Sequence, residues 1–449
     1  MCRSFEKATT VSIRRANSNK AATKATYRFL NNKKVTEKIL IEELTENCGK
    51  LCAGRNLLVI QDTFSLNHYG QRKRIKPGSG LGPVSYLPGL GFFIHHGLVI
   101  DADTGVPLGI SSCQMWNREK DAPQKKEGAH TQLPIEEKES YKWIKCCKES
   151  QEALQQAAHI TFIEDREGDI YEQFAMVPDD KTDLIIRCRE NRTLSDGKKL
   201  YETLANQRVS GSYELLLEGD HRSGKQKRRV PIEVRFAEVS ISKPNFKKNN
   251  DSLPPSIKLY AVEAREKTDK PNKNAIIWRL LTVKPVNTFE DAMQVINKYK
   301  KRWYIEELHR VVKKQGFNFE ETQLENGWVI RKLAVLIMRA ALRTMQMWLA
   351  YEDEKGQNID EVFTPSERTC LEQINEQMEG KTEKQKNPYP KNKLTWATWV
   401  IARLGGWDGY ASQRKPGPIT ISRGNQKFNE MYQGWMLAKG FFEKDVGTR

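Results

Sequence analysis

The chain has 449 residues, of which 38% are apolar and 29% charged, and 74 basic against 57 acidic residues give a net charge of +17. The apolar content is enough for a folded core, which excludes general disorder, and the length predicts two or three domains. The most apolar stretch, 328–350, is interrupted by basic residues, which excludes a membrane span. The positive charge favours a polyanionic partner such as nucleic acid, although a basic protein with other partners would have the same charge.

The first part of the chain predicts helices, then a buried strand and a hairpin. Residues 1–55 are polar, begin with many basic residues and have helical composition. Four consecutive apolar residues at 57–60 predict a buried strand that ends at Asp62. The turn sequence DADTG, between two apolar runs, predicts a hairpin over 89–116.

The middle of the chain predicts a second buried strand and then a strand-rich segment. A helical composition over 136–158 precedes an apolar run at 160–163, which stops just before Asp165. Short apolar runs separated by Gly, Pro, Asn and Lys follow over 184–285. This pattern predicts an antiparallel β segment of about 100 residues.

The last part of the chain predicts helices. Helical patterns extend over 287–314 and 323–351, and two further helices are predicted near 395–407 and 428–442. On the helix over 287–314, one acidic residue falls in a stripe about 80° wide with a tyrosine and three basic residues. The members of the stripe are Tyr299, Arg302, Glu306, Arg310 and Lys313. A solvated face with i,i+4 ion pairs, each worth about 0.2–0.5 kcal/mol, explains the same stripe.

Three acidic residues indicate a possible metal site when they are considered together. Asp62 and Asp165 each follow an apolar strand, where a plain turn residue is the simpler interpretation of either one alone. With Glu306 they form a set of two aspartates and a glutamate, which can hold two divalent ions about 3.5–4 Å apart at a phosphodiester. The neighbouring histidines are interpreted as structural: alternation sends one of His95 and His96 inward and the other outward. His309 lies beside the stripe, where it could touch DNA.

Three motifs in this order resemble those of the DDE transposases of bacterial cut-and-paste elements, in the insertion-sequence-four family. The glutamate helix of that family carries Tyr-(2)-Arg-(3)-Glu-(6)-Lys. The residues with this spacing are Tyr299, Arg302, Glu306 and Lys313. The second-Asp motif, Asp-Arg-Glu-x-Asp-Ile, is present at 165–170, and residues 58–63 resemble the first-Asp motif, Leu-x-Ile-x-Asp-Thr.

The resemblance implies an α/β fold in which an RNase H-like catalytic core is interrupted by an antiparallel β insertion, with helical N- and C-terminal regions. The implied segments are a shortened helical DNA-binding region (1–55), the first part of the core (56–183), the insertion (184–285), the glutamate helix with the following helix (286–351) and a helical dimerisation region (352–449).

The resemblance also assigns site residues. The catalytic metal ligands would be Asp62, Asp165 and Glu306. DNA contacts near the cleaved end would come from Tyr299, Arg302, Arg310, Lys313 and Arg187, and Trp278 would stack on a flipped base. A buried core tryptophan and a surface strand arginine are the structural alternatives for Trp278 and Arg187.

The implied activity is DNA transposition: metal-dependent cleavage and strand transfer at element ends, by way of a hairpin. Two Mg²⁺ ions are the implied cofactors, and Mn²⁺ fits the same oxygen ligands. The implied partners are double-stranded terminal-repeat and target DNA, with a homodimer in the synaptic complex, in the bacterial cytoplasm at the nucleoid. Because only 61 residues precede Asp62, fewer than is usual in the family, a truncated transposase acting as a non-catalytic inhibitor, or a decayed element copy, stays open as an alternative. A general RNase H-like nuclease fits the motifs less well.

Overall fold

The computed structural model describes residues 2–17, 19–84, 89–118, 133–217, 227–247, 250–268, 275–314, 316–352, 357–410 and 413–440. The strands in these residues are β1 (Asn56–Asn67), β2 (Gly91–Asp101), β3 (Pro107–Trp116), β4 (His159–Glu164), β5 (Thr182–Arg187), β6 (Gly211–Leu217), β7 (Arg228–Ser242), β8 (Ser256–Glu266) and β9 (Ile277–Thr282). The α-helices are α1 (Cys2–Ala8), α2 (Ile13–Ala16), α3 (Lys20–Asn31), α4 (Glu37–Leu51), α5 (Tyr141–Ala153), α6 (Tyr171–Met176), α7 (Leu200–Ala205), α8 (Phe289–Lys300), α9 (Trp303–Lys313), α10 (Gly327–Leu349), α11 (Pro365–Met378), α12 (Leu394–Leu404) and α13 (Pro418–Ala438).

The nine strands of the described residues form one sheet in the order β3-β2-β1-β4-β5-β9-β8-β7-β6. Strands β3, β2 and β1 are antiparallel, whereas β1, β4 and β5 are parallel to one another. From β5 onward every pairing is antiparallel, through β9, β8, β7 and β6. The carboxyl end of β4 therefore lies beside the middle of β1, which continues to Asn67 along β2.

Strand β1 is covered on both faces, which explains its unbroken apolar run. Leu58 and Ile60 belong to one hydrophobic core, and Leu57 and Val59 to a second core on the other face. All four side chains are buried. Alternation along a strand sends successive side chains to opposite faces, so only an apolar residue fits at each position.

Helices α8 and α9 follow each other with a tightened turn between them. The N-terminus of α8 is fixed by a capping box between Thr288 and Asp291. At the junction, the backbone N–H groups of Lys301 and Arg302 donate to carbonyls three residues back. Such i→i−3 bonds tighten the helix and change the direction of the side chains that follow.

The C-terminal helices enclose a third hydrophobic core. Trp396 and Trp399 of α12 are buried in it, together with Phe428 of α13. The long helix α10 connects this core to the first one, since its last turns contribute Met347 to the third core while most of its length packs on the first. None of the described helices has the length and apolar character needed to cross a membrane.

The mixed α/β architecture predicted from the sequence is confirmed, and β2 and β3 form the predicted hairpin. Two details differ. The apolar run at 184–187 is predicted as part of an antiparallel segment, but it lies in β5, which pairs in parallel with β4. The single helix predicted over 287–314 is divided into α8 and α9, because the chain tightens at 301–302.

Candidate active site

Two aspartates lie beside each other where the parallel pairing of β1 and β4 stops: Asp62 within β1, which continues to Asn67, and Asp165 directly after β4. The last residues that pair between these strands are Ile60 and Ile163. Asp62 and Asp165 each stand two residues further along the chain. Because the strands are parallel and in register, both carboxylates emerge at the same edge, where backbone held by the sheet presents them rigidly.

Each aspartate is also fixed by its own local backbone. The N–H of Thr63 donates to Asp62 Oδ1 at 2.7 Å, and the N–H of Arg166 donates to Asp165 Oδ1 at 2.8 Å. Asp165 caps the short 3₁₀ helix Arg166–Gly168. Both side chains are partly buried and are held in a defined orientation.

Helix α9 adds Glu306 to this edge through Arg302, which connects two of the acids. The Arg302 guanidinium forms an ion pair with Glu306 and lies 4.0 Å from Asp165 Oδ2. Arg187 of β5 approaches Asp165 from the other side, at 3.9 Å. The hydroxyl of Tyr299 donates to Asp165 Oδ1 at 3.4 Å. The structure thus brings together residues that are more than 100 positions apart in the chain.

The electrostatics of Asp62 show that the three acids influence one another. Burial, with a smaller contribution from the negative charges of Glu306 and Asp165, raises the pKa of Asp62 to about 6, against the opposing effects of the Thr63 N–H and Arg302. Burial, followed by the charge of Asp165, raises the pKa of Tyr299 to about 12, so this phenol is a hydrogen-bond donor at neutral pH. Negative charge is therefore concentrated at this edge.

Trp278 lies next to the three carboxylates of Asp62, Asp165 and Glu306, which together are called the acidic edge. Its ring on β9 packs edge-on against Tyr299, with 5.9 Å between ring centroids. Trp278 is only partly buried, and so is Arg187, which also donates to the carbonyl of Ile277 at 3.5 Å. These two predicted DNA-contacting residues adjoin the acidic edge through Tyr299 and Asp165.

Two predicted site residues point away from the carboxylates. Arg310 is exposed and forms an ion pair with Glu307, one position beyond Glu306. Lys313 pairs with Glu320 at 3.8 Å. The tightened turn between α8 and α9 lies before Glu306, so it changes the calculated helical angle between Tyr299 and Glu306, whereas Glu306, Arg310 and Lys313 follow one another on α9.

The interpretation of the histidines is wrong in two respects. His95 and His96 alternate as predicted, but both are fully buried, because helices cover both faces of the sheet. His309 is also buried and contacts His96, so it is not placed to touch DNA. The sequence analysis also missed Trp303, an exposed indole directly after Arg302. Its position in the Tyr-Arg-Glu-Lys stretch was the available signal.

The donor set suits a hard divalent cation, although the acids are not arranged around one. In the described part of the chain, no group of three or more His, Cys, Asp or Glu side chains is close enough to hold a metal ion. Asp62, Asp165 and Glu306 offer only oxygen ligands, which Mg²⁺ prefers. The raised pKa of Asp62 reflects burial first and then the nearby negative charge, and Arg302 provides positive charge that acts against both.

Comparison with known proteins adds independent support. Residues 144–343 match the sequence model of the transposase DDE domain family. The match supports a DDE transposase. The matched segment contains Asp165 and Glu306 and begins after Asp62. Domains of this family generally use divalent metal ions, and a transposase implies DNA as partner.

Among solved structures, the chain is similar to the piggyBac transposase in a cryo-EM structure of its synaptic complex with hairpin DNA. The two chains share 11% sequence identity and a TM-score of 0.37. The alignment covers 96% of this chain and 63% of the piggyBac chain, so this chain spans less than two thirds of that protein.

Proposed function

We propose that the chain is a DNA transposase of the cut-and-paste type, similar to the insertion-sequence-four family, which cleaves the ends of its element and joins them to target DNA through a hairpin intermediate. The observation that carries this proposal is the acidic edge: Asp62 within β1 beside Asp165 at the end of β4, with Glu306 connected to Asp165 through Arg302. Burial first, and the negative charges of Glu306 and Asp165 after it, raise the pKa of Asp62, and the fold alone does not require acidic groups at these positions.

The strand order supports an RNase H-like core as the finer description of the fold. Three antiparallel strands, β3, β2 and β1, are followed by the parallel strands β4 and β5, with α5 between β3 and β4. Strands β6 to β9 would then be the insertion, which extends the same sheet.

Asp62, Asp165 and Glu306 would hold two Mg²⁺ ions, for which Mn²⁺ could substitute. Bound divalent ions supply activation of a water or 3′-hydroxyl and stabilisation of the leaving oxygen in phosphodiester chemistry. Arg302 must leave its ion pairs for the carboxylates to become available. A guanidinium released in this way forms strong hydrogen bonds with a DNA phosphate, where it would orient the cleaved end.

The remaining contacts to DNA would come from residues around the acidic edge and from exposed cations further away. Trp278 would stack on an unpaired base, with Tyr299 supporting its ring, and Arg187 would bind the neighbouring phosphate. The exposed side chains of Arg14 and Arg15 on α2 offer positive charge for DNA outside the site.

A homodimer would form through the C-terminal helices. Helix α13 exposes apolar side chains, with 46% of Met431 and 66% of Leu437 accessible to solvent. Exposed apolar residues next to a core of their own are typical of an association surface.

Cleavage of the DNA that flanks the gene tests the proposal. A duplex that spans one terminal repeat is incubated with Mg²⁺ and either the wild-type protein or Glu306→Gln. We expect a nick at the repeat boundary with the wild type and none with the variant, while both bind the duplex. Cleavage by Glu306→Gln would refute the assignment of the acid. Specific binding without cleavage by the wild type would instead indicate a non-catalytic regulator.

A further inference from the structure

Buried polar side chains lie directly behind the acidic edge. Gln61 precedes Asp62 on β1, and Glu164 precedes Asp165 at the end of β4. Strand alternation therefore turns Gln61 and Glu164 to the face opposite the carboxylates, where α5 covers them and neither has any exposed surface.

Hydrogen bonds connect these side chains across three neighbouring strands. The Gln61 amide donates from Nε2 to Glu164 Oε1 at 3.1 Å, and its Oε1 lies 3.1 Å from Nε2 of His95 on β2. His95 Nδ1 in turn lies 2.9 Å from the Thr63 hydroxyl. These two contacts fit one neutral tautomer of His95, in which Nε2–H donates to Gln61 Oε1 and Nδ1 accepts from the Thr63 hydroxyl. Gln173 of α6 donates to Glu164 Oε1 at 2.5 Å.

A second buried polar contact connects the other face of the sheet to the glutamate helix. His96 is the cross-strand partner of Asp62, and its Nε2 lies 2.9 Å from Nε2 of His309. His309 stands one helical turn after Glu306 on α9 and stacks on Phe64, with 4.1 Å between ring centroids. One ring donates and the other accepts, so the accepting imidazole must be neutral.

These groups cost more to bury than apolar side chains of the same size. Desolvation of an amide, a carboxyl group or an imidazole is only partly offset by internal hydrogen bonds. Glu164 Oε2 and His96 Nδ1 are buried without a hydrogen-bond partner among the described residues, so part of that cost is not recovered. The packing of the sheet alone gives no reason for polar groups at these positions, whereas hydrogen bonds have the directional geometry needed to fix an orientation.

We propose that Gln61, Glu164 and the His96–His309 pair are positioning residues that hold the three carboxylates of the acidic edge in their relative places. Gln61 and Glu164 fix the middle of β1 to the end of β4, and the histidine pair fixes the glutamate helix to β2. The adjacent histidines of β2 connect the two systems, since His95 faces one side of the sheet and His96 the other. This inference rests on the proposed function, because it assumes that the carboxylates bind metal.

Variants of His309 test the inference with metal affinity as the readout. Glutamine keeps an amide N–H near the position of Nε2, whereas leucine fills the space without a hydrogen bond. Mn²⁺ binding to the full-length protein without DNA is measured by calorimetry. We expect His309→Leu to weaken Mn²⁺ binding about 10–100-fold, the usual effect of removing an outer-shell partner, and His309→Gln to weaken it less than about threefold.

Val312→Ala is the matched control, because Val312 is buried on the same helix one turn further and forms no polar contact with its side chain. It should lower the melting temperature and leave Mn²⁺ affinity unchanged. On the face of the sheet that α5 covers, Glu164→Leu should weaken Mn²⁺ binding, whereas Glu164→Gln should retain most of the wild-type affinity.

Each outcome decides the question. Folded His309→Leu with wild-type Mn²⁺ affinity would overturn the inference, as would an equal loss in Val312→Ala, which would show that any loosening of α9 has the same effect. A wild-type protein that binds no Mn²⁺ and nicks no terminal-repeat DNA would refute the proposed function and this inference with it. Wild-type nicking together with unchanged affinity in His309→Leu would refute the inference alone.

Discussion

Replacing Asp62 by Asn should stabilise the protein at neutral pH while it removes cleavage. The pKa of Asp62 is raised to about 6 from its ordinary value of 3.8, first because the group is buried. The folded state therefore binds this proton more tightly than the unfolded state, and ionised Asp62 costs stability above pH 6. A difference of about two pKa units corresponds to about 3 kcal/mol. Asparagine carries no charge and keeps an Oδ1 that accepts the Thr63 N–H.

The stabilisation should depend on pH in a defined way. Below about pH 4, Asp62 is protonated in both states and the variant should gain almost nothing. The gain should rise between pH 4 and pH 6 and remain near its maximum at pH 8. If all 449 residues unfold together, 3 kcal/mol corresponds to ~3 °C in melting temperature, since the entropy of unfolding is about 2.1 cal/mol/K per residue.

Differential scanning calorimetry at pH 4, 6 and 8 measures the effect. Asp165→Asn is the matched control, because Asp165 has ion-pair partners in Arg187 and Arg302 and its loss leaves their charges less well compensated. This control should not be stabilised at pH 8. A melting temperature of Asp62→Asn equal to that of the wild type at pH 8, or a gain that is the same at all three pH values, would refute the reasoning.

Three further predictions concern the residues around the acidic edge. Trp278→Ala should reduce hairpin formation more than first-strand nicking, because stacking on a base is worth about 1–3 kcal/mol. Trp278→Phe keeps an aromatic ring and should retain much of the hairpin step. Equal losses at both steps on a gel assay would indicate a structural tryptophan. Arg302→Gln should strengthen Mn²⁺ binding without DNA by about tenfold in calorimetry. The reason is that a positive charge near the metal ligands repels the cation, and at an effective dielectric of 20 its removal is worth at least ~1.4 kcal/mol. Unchanged or weaker binding would contradict the idea that Arg302 competes with the metal. Arg187→Gln should weaken DNA binding more than Arg310→Gln in a fluorescence anisotropy titration, because only Arg187 contacts the acidic edge, and equal effects would show that both act through general charge.

The end of β4 just before Asp165 was predictable from local pattern, because the apolar run of a strand buried on both faces stops there. The predicted end of β1 at Asp62 was wrong, because the strand continues to Asn67 through its pairing with β2, which is distant in sequence. The pairing of β5 with β4 was not predictable in the same way, because the apolar run at 184–187 looks the same in a parallel or an antiparallel ladder. Partner choice depends on contacts that are distant in sequence.

The helix that carries Glu306 shows a different limit. A uniform 100° per residue places five side chains in one stripe, but the tightened backbone at Lys301 and Arg302 divides α8 from α9. The helical angle between Tyr299 and Glu306 therefore differs from the calculated one, while Arg310 and Lys313 stay on the same helix as Glu306 and pair with Glu307 and Glu320. Periodicity gives the right face near its reference residue and loses accuracy beyond an irregular turn.

The buried polar groups were not predictable as a set, because each looks ordinary in its own segment. Gln61 is one polar residue after an apolar run, and His309 is one histidine on an amphipathic helix. Their contacts with one another depend on the sheet order, which places β2 beside β1. His95 and His96 of β2 then face opposite sides of the sheet, where each meets one of these groups.

Arg302 connects DNA binding and metal binding in one residue. In this structure its guanidinium offsets the charge of two of the three acids, so the carboxylates can coexist without a metal ion. A DNA phosphate at the site would compete for the same guanidinium, and each acid that loses its partner gains affinity for a divalent cation. Coupling between two ligands of one protein is reciprocal. If DNA strengthens metal binding, metal must therefore strengthen DNA binding by the same factor. On this reasoning the protein would bind its metal ions more tightly with DNA in place than without it.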